Sequence, residues 1–242
     1  MPELRIIPVE GLPEIGAGDD LGALIAEHAQ LERGDVVVVS QKAVSKAEGR
    51  VVRLADVEAS ERARELASGH DPRQLEVVLR EATRIVRSRP PLVIAETRHG
   101  FVCASAGVDA SNAPEPDMLV LLPVDPDASA EAIRLTLRER TGREVGVIVS
   151  DSFGRPWRTG IVDVAIGVAG LQPLEDWRGR RDANGYELRS TVVAVADEIA
   201  AAAELVRGKT AGVPVAVVRG LGVSGEGSGR ELIMPRERDM FP

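Results

Sequence analysis

Residues 145–158 read VGVIVSDSFGRPWR. An apolar, β-branched run meets Ser150, Asp151 and Ser152, and the turn residues Gly154 and Pro156 follow. A run of this length bounded by turn residues predicts a buried strand that ends near Ser150. A carboxylate and two hydroxyls at the carboxyl end of such a strand stand where α/β sheets place ligands. Arg155 and Arg158 come next, and the guanidinium fork suits phosphate or carboxylate. The same residues also suit a strand end that passes into a solvated turn, because Ser and Asp are ordinary turn residues.

The rest of the chain alternates strands and helices, which predicts a mixed α/β fold without specifying sheet order. Strands are expected at 4–9, 35–39, 49–55, 92–97, 101–105, 119–122, 187–195 and 213–219. Helices are expected at 21–31, capped by Asp19 or Asp20, and at 57–68, 72–88, 130–140 and 196–207. Residues 92–105 read as a hairpin across Arg98, His99 and Gly100. Over 1–242 the spacing gives one domain, or two intertwined subdomains. Residues 203–210 (AELVRGKT) match a relaxed P-loop spelling, but a helix precedes them and a strand follows. A P-loop needs the reverse order, so Gly208 is read as a helix end.

Composition removes several classes of function. A net charge of −8 argues against a general nucleic-acid or membrane-surface binder, which needs a basic face. Aromatic residues at 2% disfavour base stacking. No apolar run approaches the about 18 residues of a membrane span, and the N-terminus lacks signal-peptide regions, so the cytoplasm is the expected compartment. One cysteine, Cys103, excludes an internal disulfide and a cysteine-based zinc site, and His28, His70 and His99 have no ligand spacing. Cys103 reads as a small core residue and His99 as a turn residue. Any metal is therefore expected on oxygen ligands.

A second segment repeats the design of the first. The strand at 101–105 leads into Gly107-Val108-Asp109-Ala110-Ser111-Asn112, where Asp109 and Asn112 offer oxygen ligands at close range. Such a loop is also a common turn. Two acidic strand ends in one oxygen-only chain point to a shared divalent ion, whose carboxylates come from separate segments. A third strand end, Ser40-Gln41-Lys42 with Lys46 beyond, either meets phosphate or forms a solvated turn. The glycine-rich stretch at 220–229 leaves the same two alternatives.

Several of these segments together resemble one family. VEGLPEIGAGDDL, GDVVVVSQKAVSK, AGVDASN, LLPVDPDASA, VSDSFGRPWRTG, ADEIAAAAELVRGK and PVAVVRGLGVSG are similar, in order, to the coenzyme F420-0:L-glutamate ligases, also called F420-0:γ-glutamyl ligases. The resemblance is to the stand-alone form, in which the nitroreductase-like domain fused in actinobacterial relatives is not expected. The resemblance implies a homodimeric mixed α/β protein that spends GTP to join L-glutamate to coenzyme F420-0 through an acyl phosphate, and extends a γ-linked tail. It implies two divalent cations, manganese or magnesium, with potassium a further candidate. By motif, Asp109 and Asp151 bind one ion and Ser152 the other. Leu12, Pro13, Glu14, Ile15, Ser40, Gln41, Lys46 and Asn112 line the GTP site, and Arg207, Gly208 and Lys209 extend it. The resemblance further implies a polar metal contact within 207–214, where Lys209 suits a phosphate better than a metal. Lys46, Arg155 and Arg158 are candidates for stabilising the transferred phosphoryl group or the substrate's phosphodiester. Phosphoryl transfer needs positioning and charge neutralisation, so no Ser–His–Asp or Cys–His set is required. The competing readings are a GTP- or metal-binding module that does not catalyse, and an amide ligase for another acidic substrate.

Overall fold

Val36, Val37, Val38 and Val39 are buried on both sides of their strand, which explains why this stretch shows no polar alternation. A computed structural model describes residues 3–240, so the ends of the domain expected over 1–242 lie outside the described residues. Along the chain run β1 (Arg5–Pro8), α1 (Leu21–His28), β2 (Val36–Ser40), α2 (Gln41–Ala47), β3 (Val51–Arg53), α3 (Glu61–Ala67), α4 (Pro72–Glu81), β4 (Ala82–Arg89), β5 (Leu92–Thr97) and β6 (Val102–Ala104). Then follow β7 (Met118–Val120), α5 (Pro126–Thr141), β8 (Gly146–Arg155), β9 (Arg158–Ala169), β10 (Glu175–Asp176), β11 (Val192–Val193), α6 (Val195–Arg207) and β12 (Val215–Arg219). The mixed α/β class is as expected. No helix among the described residues is long and apolar enough to cross a membrane.

The central sheet has the order β1-β12-β2-β8-β9. Only β2 and β8 pair in parallel, from Val36 opposite Gly146 to Ser40 opposite Ser150. One face carries Val37, Val39, Val147 and Val149 against α1, α2 and α5, and the other carries Val36, Val38 and Ile148 against the small-residue face of α6. Helix α5 starts on the Asp125 carboxylate, which accepts the Ala128 amide, and ends at Gly142 with φ 68°. It lies tight on β9, because a Cβ at Gly167 would stand 2.2 Å from the Pro126 carbonyl oxygen. A second sheet, β4-β5-β6, packs under α3 and α4, and a β3-β7 pair joins it to the rest.

Four expectations are corrected. The strand at 145–150 does not end there. β8 continues through Gly154 to Arg155 and forms a long hairpin with β9, so the stretch at 160–171 is largely strand. The pairing with β9 satisfies backbone groups that the local sequence would leave to a turn. The helix expected over 72–88 stops at Glu81. Residues 82–89 pair with β5 instead, where Thr83, Ile85 and Val86 suit an extended chain. Residues 41–47 form α2 rather than a turn. Of the strand expected at 187–195, only Val192–Val193 pairs, with β10. Helix bounds shift as well: α1 stops at His28 and not at 31, α3 starts at Glu61 and not at 57 because Ser60 caps it, and α5 starts at Pro126 and not at 130, after the Asp125 cap. The hairpin across 98–100, the helix before Gly208 and the strand after it are as expected.

Candidate functional site

β2 stops at Ser40 while its parallel neighbour β8 continues past Ser150, and a cleft of about 1030 Å³ opens at that step. Residues 12–15, α2, the loop at 103–114, the β8–β9 hairpin and the turn after α6 surround it. The position is the crevice beyond the carboxyl ends of parallel strands. A bulge separates Val149 from Ser150, and beyond it regular alternation resumes. Ser150 and Ser152 therefore share a face with Asp163, which lies opposite Ser152 in the ladder, and Asp151 takes the other face.

On the Asp151 face stands one group of charges. Lys42 Nζ donates to Asp109 Oδ2 at 2.6 Å and to Ser111 Oγ at 2.5 Å. The Ser111 amide and hydroxyl also donate to Asp109, at 2.8 and 2.9 Å. Two backbone hydrogen bonds with Val120 fix the Asp109 backbone. Burial pushes the Asp109 carboxyl up, but Lys42 and Ser111 outweigh it and hold it below its ordinary value. Asp151 accepts the Ser152 amide at 2.8 Å and has no ion pair among the described residues. Burial, helped by the charges of Asp163 and Asp109, pushes it up to about 6.

On the other face Asp163 is 4% exposed. It accepts Ser150 Oγ at 3.1 Å and Ser152 Oγ at 2.6 Å, and it pairs closely with Arg207. Arg207 is equally buried and also reaches Glu204 at 3.2 Å and Ser150 Oγ at 2.9 Å. Its Nε and Nη1 have no hydrogen-bond partner among the described residues. Lys209 Nζ bonds Ser152 Oγ, lies 3.4 Å from Asp163 and 2.9 Å from Glu204. Burial lowers the Lys209 pKa, and the two acids raise it by more, so it stays above its ordinary value.

The cleft gathers most of the residues that sequence reasoning selected. Leu12, Pro13, Glu14, Ile15, Ser40, Lys46, Asp109, Asn112, Asp151, Ser152, Arg207, Gly208 and Lys209 all line it. Lys46 is tied to Glu14 at 2.5 Å, which joins α2 to the loop at 12–15. Three selected residues do not line it. Gln41 is buried in α2 and accepts the Ser45 hydroxyl. Arg155 donates to the Thr159 carbonyl at the hairpin turn, and Arg158 is exposed there. The residues missed were Asp163 and Glu204, while Ser150 and Ser111 were noted in their segments without an assigned role and Lys42 only as one of two lysines near a strand end. Asp163 carried a usable signal, since a single carboxylate inside an apolar strand must find partners.

The donors facing the cleft suit a hard cation. Asp109, Asp151 and the nearby serines offer only oxygen, and the Asp151 carboxylate brings charge that Lys42 alone does not balance. Cys103 is buried and its thiol is pushed up to about 12, so it stays protonated and offers no thiolate. His99 Nε2 is engaged with the Pro123 carbonyl at 2.9 Å, in keeping with a turn residue. Among the described residues no three His, Cys, Asp or Glu side chains close on one point, so a cation here would need ligands from a bound substrate or water.

Fold and site define a mixed α/β protein built around a charge-lined ligand cleft at the end of a parallel strand pair. Comparison with known proteins makes this specific. Residues 11–220 match the model of the F420-0:γ-glutamyl ligase family. The coenzyme F420:L-glutamate ligase of Methanopyrus kandleri is 49% identical, with 100% of this chain and 98% of that protein covered. The enzymes of the same name from Methanothermobacter thermautotrophicus and Archaeoglobus fulgidus are each 46% identical, with 98% of this chain and 98% and 96% of theirs covered. The chain belongs to the F420-0:γ-glutamyl ligase family.

Proposed function

We propose that the chain is a GTP-dependent ligase that joins L-glutamate to coenzyme F420-0 and extends the γ-linked tail. Family membership and the names of its relatives support the ligase and its substrates. The observation that carries the GTP reading is the cleft itself, where three lysines and two sets of carboxylates converge at the step between β2 and β8. In this reading the γ-phosphoryl group of GTP passes to a carboxylate oxygen of the F420 precursor, giving an acyl phosphate and GDP. The amine of glutamate then attacks the acyl carbon. The C–N bond forms, inorganic phosphate leaves with the C–O electron pair, and the amine gives up its proton.

The residues suit that sequence. Lys42 and Lys46 project from α2 toward the step and would draw phosphate oxygens. Residues 12–15, held by the Lys46–Glu14 pair, would flank the nucleotide with Ser40 and Asn112. Asp109 and Asp151 would hold one divalent ion, manganese or magnesium, and the family resemblance implies a second at Ser152. Such ions supply charge neutralisation on the phosphate oxygens. Arg155 and Arg158 remain candidates for the substrate's phosphodiester. The homodimer and a place for potassium belong to the same proposal.

The test is direct. Purified protein with F420-0, L-glutamate, GTP and Mn2+ is expected to yield GDP, phosphate and a glutamylated product by mass spectrometry. No product across a range of metal concentrations would sink the proposal. Turnover of a different acidic acceptor in place of F420-0 would redirect it to that substrate, and nucleotide binding without turnover would leave a binding module.

A further inference from the structure

The two charged groups of the cleft are not balanced alike. At the first, Lys42 pairs with Asp109 and only its field reaches Asp151, which has no ion pair among the described residues, so one negative charge is left over. At the second, Asp163 and Glu204 meet two cations, Arg207 and Lys209, and the group is neutral. A divalent ion placed at the first group relieves an excess of negative charge. Placed at the second, it meets two positive charges within a few ångströms.

The hydroxyl of Ser152 shows the same asymmetry. It donates its proton to Asp163 Oδ1 at 2.6 Å and accepts from Lys209 Nζ. A serine hydroxyl has one proton and two lone pairs, so its proton is committed to a carboxylate and one lone pair is already spent on an ammonium. Lys209 itself has three donors, and the structure directs them at Ser152, Asp163 and Glu204. Three oxygens from three segments gathered around one compact positive charge is how a protein surrounds a hard cation. The place at Ser152 is filled by the chain itself.

We propose that the Lys209 ammonium stands in for the second divalent cation, so that this chain binds one divalent ion and not two. This rests on the reading of the cleft as a metal-dependent nucleotide site. It departs from the ligand set that the family resemblance implies, because the residues around Ser152 do not fit a second metal. Lys209 would present a single charge to the phosphate at the position where a divalent ion would present two.

Equilibrium dialysis against Mn2+ tests it, with Mn2+ alone and with a non-hydrolysable GTP analogue present. Wild-type protein is expected to retain one Mn2+ per chain. Lys209→Gln removes the charge and supplies a carbonyl oxygen, and is expected to retain two. Lys209 is half exposed, so its loss should not unfold the chain, and Lys209→Ala makes the same comparison if the glutamine disturbs the fold. A wild-type count of two overturns the proposal, as does a variant count equal to that of wild type. Failure of the analogue to bind overturns the nucleotide reading alone, because the counts with Mn2+ by itself still judge Lys209.

Discussion

Asp163→Asn tests whether the neutral group on the α6 face holds the cleft together. The carboxylate and Arg207 are both almost fully buried, and Ser150 and Ser152 donate to the same carboxylate. Removing one member of a buried ion pair costs about 3–5 kcal/mol, mostly because the partner charge is left uncompensated. Here Glu204 stays 3.2 Å from Arg207 and compensates part of that charge. The expected loss is therefore at the lower end, about 3 kcal/mol. For a chain of this size that corresponds to a fall in Tm of about 6–12 °C. Urea unfolding followed by circular dichroism measures it, with an unchanged m-value showing that the change lies in the folded state. The double variant Asp163→Asn with Arg207→Met should recover much of the loss, since no charge is then left unpaired. A loss below about 1 kcal/mol for the single variant, or no recovery in the double, would refute the view that this pair is a buried charge balance and not a surface bridge.

Three further outcomes follow from other contacts. Asp151 is raised to about 6 by burial, so in metal-free protein it opposes folding as pH rises from its unfolded value near 4 through 6. Asp151→Asn should therefore gain stability relative to wild type across that window and lose metal-dependent turnover, and parallel pH–stability curves for the two proteins would count against a raised pKa. Gly167→Ala would drive a Cβ into the Pro126 carbonyl, and a loss of at least about 2 kcal/mol is expected by urea titration. Asp125→Ala deletes the cap of α5 and should cost about 1 kcal/mol in the same assay.

Much of the site was legible because its residues are announced by local chemistry. Asp109, Asn112, Asp151 and Ser152 sit in polar stretches directly after apolar runs, and such junctions mark places where side chains turn to a ligand, although at Asp151 and Ser152 the strand itself runs on. The motifs that carry the family resemblance added the loop at 12–15, which no periodicity would have singled out. Asp163 and Glu204 were not found because each reads locally as part of an element. The first is one polar residue in a glycine-rich strand, and the second is an ordinary glutamate on an amphipathic helix. Arg155 and Arg158 were drawn in by proximity to Asp151 along the chain, and the β8–β9 pairing sets them at the hairpin turn, outside the residues that line the cleft. The end of α4 was misplaced for a related reason. Residues 82–89 have a helical arrangement of apolar positions, and only β5 lying alongside makes the extended form the better one.

The sequence alone determined the alternation of strands and helices, the cap of α1 within Asp19–Asp20, the oxygen-only donor set and the family. These depend on residue type and spacing within a few residues, where hydrogen bonding and steric preference act. The tertiary structure decided that β8 runs on past Ser150, that Asp151 and Asp163 face opposite sides of it, and that Lys42 and Lys209 each join a different group of charges. Those outcomes depend on pairing between residues as far apart as Lys42 and Asp109, or Ser152 and Lys209. Such pairs form only when sheet register brings them together, and register is set by burial of whole strand faces and not by the residues that it aligns.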